Sequence, residues 1–360
     1  MKQIKFIITA LLGVVLFSCS KDDSPQIEDH FLSKEIPIEL IKENYSVGSF
    51  YKSFNWNSAV VEVPVAGKYV SNLGDPVAYE KHVKQAVTGG IDYFIFGFRS
   101  ANVANDNTND RKFIDILQTA PNALEQKFAL SYTFTSLALI NPLRNIETAP
   151  SKVPIFLNDF MLMLPYFKAP NYMKVDGKCV VYINGAQNLT SNNNVALYQQ
   201  LRTQMTAQGI ELFIIGNQVE WTPPLRWDFR FVNCVDAVTH STYNNIPVEQ
   251  YDRNYFFAKY CNEAWGYSKT RLLDFKLEYV PTISPSYNRR IITPSDKNYV
   301  FPKNVTYFET MCNVARRASG SHKLILVESF NDWNLDSQLE ASVSYGDTYL
   351  SILKKEFKLK

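Results

Sequence analysis

The chain has 360 residues, 46% hydrophobic and 20% charged, with a formal net charge of +2. That is enough apolar sequence to bury a full core, in one large α/β barrel or two ordinary domains. Basic residues are scattered rather than blocked, which argues against nucleic acid as a partner. Aromatics make up 14%, with 21 Tyr and 24 Phe, which suits a heavily packed core or flat surfaces for stacking on sugars.

Met1 to Lys5 is short and basic, and Phe6 to Phe17 is an apolar run that ends at Ser18-Cys19. The run is too short to span a bilayer comfortably and has the proportions of an export signal over residues 1–18. Leu16-Phe17-Ser18-Cys19 resembles the lipobox of bacterial lipoproteins, which implies lipidation at Cys19 and an outer-membrane anchor. Lys21-Asp22-Asp23 resembles the acidic surface-export signal of lipoproteins from the Bacteroides group and implies exposure at the cell surface. Residues 19–44 are expected as a tether and 45–360 as one domain, with no internal repeat. Loss of Lys2 and Lys5 with the signal brings the net charge to zero. Cys179, Cys234, Cys261 and Cys312 form no C-x-x-C pair and read as free and mostly buried, with one disulfide left open. His30, His82, His240 and His322 lie far apart with no ligand spacing, so neither a metal nor another cofactor is expected.

From Tyr45 onward, strand-like runs alternate with helix-like ones. The expected strands are Val47–Phe54, Ile91–Phe98, Phe128–Phe134, Cys179–Ile183, Leu212–Ile215, Ala237–Thr242, Tyr279–Ile283 and the run from Leu324. Helices are expected at Pro76–Thr88, Asp110–Gln118, Val153–Phe167, Ala196–Ala207, Pro247–Trp265, Val305–Arg317 and Tyr345–Phe357. Asp75 reads as the N-cap of the first, Pro76 as its first residue and Gly89-Gly90 as its stop. Eight strands alternating with helices, without a dinucleotide or phosphate-loop fingerprint, predict a single (β/α)8 TIM barrel, with a doubly wound open sheet as runner-up.

In such a barrel the site forms where strands end and loops begin. The strand ends offer Tyr51 and Lys52, Arg99, Asn184, then Asn217, Glu220 and Trp221, His240 and Tyr243. The last two add Tyr287, Asn288, Arg289 and Arg290, then Glu328, Asn331, Asp332 and Trp333. Carboxylates, amides and aromatics without a metal set or a nucleophile–His pair suit a carbohydrate site. Were the last strand to run extended to its end, Glu328 and Asp332 would stand about 13 Å apart, too far for a glycosidase pair. Glu220 is then the best second carboxylate by position, with Asp336 behind it.

Phe330-Asn331-Asp332-Trp333-Asn334-Leu335-Asp336-Ser337-Gln338-Leu339-Glu340 resembles the motif F-N-E-W-x-E-G-T-Q-I-E of glycoside hydrolase family 99. The same motif is similar to that of glycosyltransferase-associated proteins that share this domain. Tyr345-Gly346-Asp347-Thr348-Tyr349-Leu350 resembles their G-x-x-Y-L ending, and Pro170 to Lys178 their P-N-Y-x-K-V-D-G-K segment. Gly67 to Ser71 with Asp75, His82 and Gly90 to Ile95, and Pro281 to Pro285 with Arg289, agree in order along the chain.

The resemblance implies a (β/α)8 barrel acting on α-mannosides by endo cleavage with retention, through two carboxylates three positions apart. The first assists attack by the sugar's own 2-hydroxyl and the second protonates the leaving oxygen. Here the first corresponds to Asp332 and the second to Leu335, which can carry no proton, while the glycine after it is Asp336. Three readings stay open: Asp336 supplies the acid, Glu220 supplies it, or the cleft only binds glycan. Trp333, Tyr287 and Trp221 are the expected sugar platforms, and Arg289, Asn288, Asn331 and Tyr51 the expected hydroxyl binders. A glycan is the expected partner, with other polysaccharide-utilisation proteins beside it at the outer membrane. A transferase role finds no nucleotide-binding fingerprint.

Overall fold

The computed structural model describes residues 30–139, 145–148, 150–218, 221, 228–241, 243 and 254–359. The expected residues Cys19 and Glu220 lie outside them. Residues 1–36 and Pro37–Lys360 separate into two units, and of the first only the 3-10 turn Phe31–Ser33 and its flanks are described.

Within the second unit eight strands run parallel: β1 (Ser46–Tyr51), β2 (Tyr93–Arg99), β3 (Lys127–Thr133), β4 (Lys178–Asn184), β5 (Leu212–Gln218) and β6 (Ala237–His240), then β7 and β8. β7 comprises Glu278–Tyr279 and Thr282–Ile283, and β8 is Leu324–Val327. Pro281 has no amide hydrogen to give, which splits β7 into two short ladders. The first half pairs with β6 and the second with β8, while β8 pairs with β1. Val280 N donates to Val238 O at 2.9 Å and Leu326 N to Pro281 O at 3.0 Å, so the sheet closes on itself through β7. The expected barrel is the observed one. A short antiparallel strand, Lys174–Val175, folds back on β4.

Among the described residues seven longer helices occupy the connections: α1 (Pro76–Gly89), α2 (Ala104–Leu117), α3 (Val153–Phe167), α4 (Asn194–Thr206), α5 (Phe257–Leu273), α6 (Val305–Ala318) and α7 (Thr348–Phe357). Asp75 caps α1 as expected: its Oδ1 accepts from Val77 N and Ala78 N at 3.0 and 3.1 Å. Gly90 ends it with φ 76°, a conformation glycine adopts without a Cβ clash. Several boundaries differ from expectation: β1 ends at Tyr51 rather than Phe54, β5 runs on to Gln218, α7 begins at Thr348 rather than Tyr345, and two helices differ further. α2 begins at Ala104 rather than Asp110, and α5 runs past Trp265 to Leu273, because its buried face (Phe257, Cys261, Trp265, Ser268, Leu272) keeps a helical spacing through Gly266. The expected start of α5 at Pro247 lies outside the described residues.

Residues 37–44, expected within the tether, are held against α6. Asn313 Oδ1 accepts from Glu39 N at 2.8 Å, its Nδ2 donates to Pro37 O at 3.0 Å, and Arg316 Nε donates to Glu39 O at 3.1 Å. Cys179, Cys234, Cys261 and Cys312 are free and buried, as expected. Burial pushes the Cys234 thiol up to about 11, which makes it a poor nucleophile. Among the described residues no helix is long and apolar enough to cross a membrane.

Candidate functional site

Because side chains alternate along a strand, every second residue of each strand points into the barrel. At the carboxyl-terminal mouth the inward positions are small or polar: Gly97 on β2, Ser131 and Thr133 on β3, Asn184 on β4, Asn217 on β5 and Thr239 on β6. A Cβ placed on Gly97 would meet nothing within 4 Å, so the top layer of the barrel interior is left unfilled there. The result is a deep lobe of about 260 Å³ with Phe50, Ile95 and Tyr182 in its lining. A second lobe, about 270 Å³, opens beside it between Tyr243, Ser284, Tyr287, Arg289, Asp332, Leu335 and Ser337. Lys52, Ser241 and Glu328 line both lobes, so the two form one cleft.

Asp332 enters this cleft because β8 stops at Val327 and the chain then turns. Ser329 N donates to Ser337 O at 2.9 Å, Phe330 N to Phe50 O at 2.8 Å and Glu340 N to Phe330 O at 2.8 Å. The extended spacing assumed for Glu328 and Asp332 therefore does not apply: both residues line the second lobe. The Ser329 hydroxyl accepts from Asp332 N at 2.7 Å and fixes the backbone that carries the carboxylate. Burial raises the Asp332 carboxyl above its ordinary value, against the opposing pull of the Lys52 ammonium and the Leu335 and Asn334 amides.

Leu335, which stands where the motif has its second carboxylate, also lines the second lobe, whereas Asp336 lines neither. The Asp336 carboxylate is 3.5 Å from Lys303 Nζ and accepts from Gln338 Nε2 at 3.4 Å. It is tied behind the loop rather than presented to the cleft.

The remaining expected residues divide between the cleft and its supports. Tyr287 and Arg289 line the second lobe, and Arg289 also stands 3.5 Å from Asp296. Asn184 and Arg99 line the deep lobe, with Arg99 held by Asp110 at 2.5 Å and Asp106 at 3.1 Å. Tyr243 reaches the second lobe but is itself buried, stacked on Phe301 at 4.1 Å with its hydroxyl on Ser284 O. Trp221 packs on Phe257 at 5.4 Å and its carbonyl accepts from Trp265 Nε1, while Asn288 caps the turn Arg289–Ile291; neither lines the cleft.

Trp333 does not reach the cleft as a sugar platform. It is 1% exposed, and its indole Nε1 donates to Glu340 Oε2 at 2.8 Å. The same oxygen accepts from the Tyr69 hydroxyl at 3.0 Å, and Glu340 Oε1 meets His82 Nε2 at 3.0 Å. His82 Nδ1 meets the Tyr51 hydroxyl at 2.8 Å, so that hydroxyl is spent inside this network although Tyr51 backs the deep lobe. Asn331, fully buried, accepts from Lys52 N at 2.7 Å and donates to Lys52 O at 3.1 Å. It clamps the end of β1, which aims Lys52 at the cleft. Sequence reasoning left Ser131, Thr133, Thr239, Ser241, Ser284 and Gly97 out of the site. Small hydroxyls and a strand glycine stand out only once the barrel's inward register is known.

Among the described residues no group of three or more His, Cys, Asp or Glu could hold a metal ion. What the cleft's lining offers is the acidic residues Asp110, Glu328 and Asp332, the Lys52 ammonium, the Arg99 and Arg289 guanidiniums, hydroxyls and aromatic edges, a set suited to a polyhydroxylated ligand.

No curated protein matches the chain. A solved structure described as a glycoside hydrolase-like protein is 38% identical, with a TM-score of 0.84 over 92% of this chain and 99% of that one. Two structures of the GH99 endo-α-mannosidase from Bacteroides thetaiotaomicron share the fold. They have TM-scores of 0.62 and 0.63 at 15% and 14% identity, over 88% and 87% of this chain and 97% of theirs. The family described as Glycosyltransferase WbsX matches residues 156–353. That match covers more than half of the chain and includes the β8 loop with Asp332, and on it the chain belongs to the WbsX family, built on a glycoside hydrolase-like barrel.

Proposed function

We propose that the protein is a glycoside hydrolase acting on α-mannoside-type bonds in polysaccharide or glycoprotein glycans, with Asp332 and Glu328 as its two carboxylates. One observation carries the reading: Glu328 and Asp332 both line a single lobe of the cleft, although the motif's own second position holds Leu335. A burial-raised carboxyl such as Asp332 is matched to proton transfer near neutral pH, the task that the motif resemblance gives it towards the sugar's 2-hydroxyl. Glu328 then gives its proton to the leaving-group oxygen. Lys52 favours the ionised form of Asp332, and Tyr287 and Arg289 bound the space where a sugar would sit. Retention and endo action, implied by the motif resemblance, belong to the same proposal.

Leu335 favours a second reading, a glycan-binding protein on an enzyme's barrel. In either case the chain is proposed to work as a surface lipoprotein anchored through Cys19 at the outer membrane, beside other proteins of polysaccharide use.

The test is product release from α-mannans and N-glycans by the lipid-free protein and by Glu328→Gln, Asp332→Asn and Asp336→Asn. Loss of one general acid–base group costs about 10²- to 10⁴-fold. The proposal expects that loss in the first two variants and no comparable loss in the third. Full activity in Glu328→Gln would sink its assigned role, and binding without product from any form would establish the second reading.

A further inference from the structure

Lys303 lies just before α6, with its side chain only 12% exposed. Its ammonium donates to Ser286 Oγ at 2.9 Å, to the Asp336 carbonyl at 2.9 Å and to the Gln338 carbonyl at 3.2 Å. It stands 3.5 Å from Asp336 Oδ1 and 5.2 and 5.4 Å from the rings of Tyr345 and Tyr349. Ser286 Oγ donates to the same Asp336 carbonyl. One buried cation thus joins the loop after β7, which carries Ser284 and Tyr287, to the loop after β8, which carries Asp332 and Leu335.

Asp336 has φ 53°, in the left-handed region where glycine costs nothing and aspartate a little. The related motif has glycine there. The aspartate that replaces it brings its own carboxylate to the ammonium. We infer that Lys303 is a positioning residue: bound by Asp336, Gln338 and Ser286, it locks the loop that presents Asp332 to the cleft. The inference rests on the reading of that cleft as the glycan site.

Burial lowers Lys303 to about 8, with Asp336 opposing, so it is an ammonium at neutral pH and loses its proton in the alkaline range. The groups facing it are Asp336, Glu62 at longer range, Tyr345 and Tyr349. Burial pushes Tyr345 and Tyr349 up, the latter to about 12, and Glu62 is lowered, its burial outweighed by hydrogen bonds that include the Ser344 hydroxyl. Lys303 therefore titrates between pH 7 and 9, below Tyr345 and Tyr349.

The experiment is hydrogen exchange on the full chain, following peptides across 329–340 against peptides in β2, with α-mannan oligosaccharide affinity measured on the same samples. At pH 7, Lys303→Met is expected to speed exchange of 329–340 by about tenfold or more, leaving β2 unchanged, while Lys303→Arg stays within about threefold. Because Lys303 is held below its free value in the closed loop, the closed state gains on the open one as pH rises, so exchange corrected for intrinsic rates falls between pH 7 and 9 in the wild type and stays flat in Lys303→Arg, an arm that needs no folded Lys303→Met. Wild-type exchange in Lys303→Met, or a wild-type loop indifferent to pH, would overturn the lock. A loosened loop in a protein whose wild type binds no oligosaccharide would uphold the lock and sink the glycan reading instead.

Discussion

Asp332 carries a stability signature that is independent of any substrate. Its folded carboxyl is raised by burial, so its stabilising contribution is fully present below the ordinary aspartate value and is lost as pH rises through the raised one. At neutral pH the ionised side chain is thus a net burden on the fold. Asp332→Asn removes the titration, and its Tm is expected to exceed that of the wild type at pH 7, with the gap narrowing toward pH 4. A lower Tm for the variant at pH 7 would mean that Lys52 and the loop amides outweigh desolvation. Asp332 is also the residue most legible in the sequence, since Phe330, Asn331, Trp333, Gln338 and Glu340 of the motif around it are kept. Glu328 was legible as a strand-end carboxylate but was separated from Asp332 by assuming an extended strand through a segment that turns. Trp333 misled for a related reason: an aromatic beside a catalytic position reads as a platform, and only its neighbours in space show the indole pointing inward to Glu340.

Between strands, the segment after β8 is anchored from below by one buried carboxylate. Glu340 is fully buried and meets three groups drawn from three places in the chain: Tyr69, His82 on α1, and Trp333. The sequence hinted at this through the retained Gln338 and Glu340, but a buried glutamate cannot be told from a surface one by spacing alone. Glu340→Ala is expected to leave buried donors without an acceptor and to cost about 3–5 kcal/mol, read as a lowered urea midpoint with an unchanged slope. A loss within about 0.5 kcal/mol, the range of ordinary surface substitutions, would show that water replaces the carboxylate there. Helix and strand identity was legible throughout, because caps such as Asp75 and runs such as Leu324–Val327 act locally. Boundaries were less so: α5 passes through Gly266 because its buried stripe continues, and β7 divides at Pro281 yet closes the barrel.

At the scale of the whole molecule, closure through β7 fixes which strand ends meet, and the compact body begins at Pro37 rather than at Tyr45. Residues 37–44 are fastened to α6 through Asn313 and Arg316, so any tether from a lipidated Cys19 is confined to residues 20–36. Fully extended, such a length of chain reaches at most roughly 60 Å, which bounds how far the barrel could stand from an anchoring membrane. On the proposal that Cys19 is lipidated, its acyl chains are the membrane anchor. Cys19→Ala is therefore expected to move the protein from the membrane fraction to the soluble or secreted fraction, with the Tm of the barrel and its oligosaccharide affinity unchanged. Two signals at one residue give this test its force: a shift in gel mobility reports the acyl chains, and fractionation reports the anchor. Retention of Cys19→Ala in the membrane, with no change in mobility, would leave the basic and apolar N-terminus as an ordinary signal and the barrel held to the surface by some other contact.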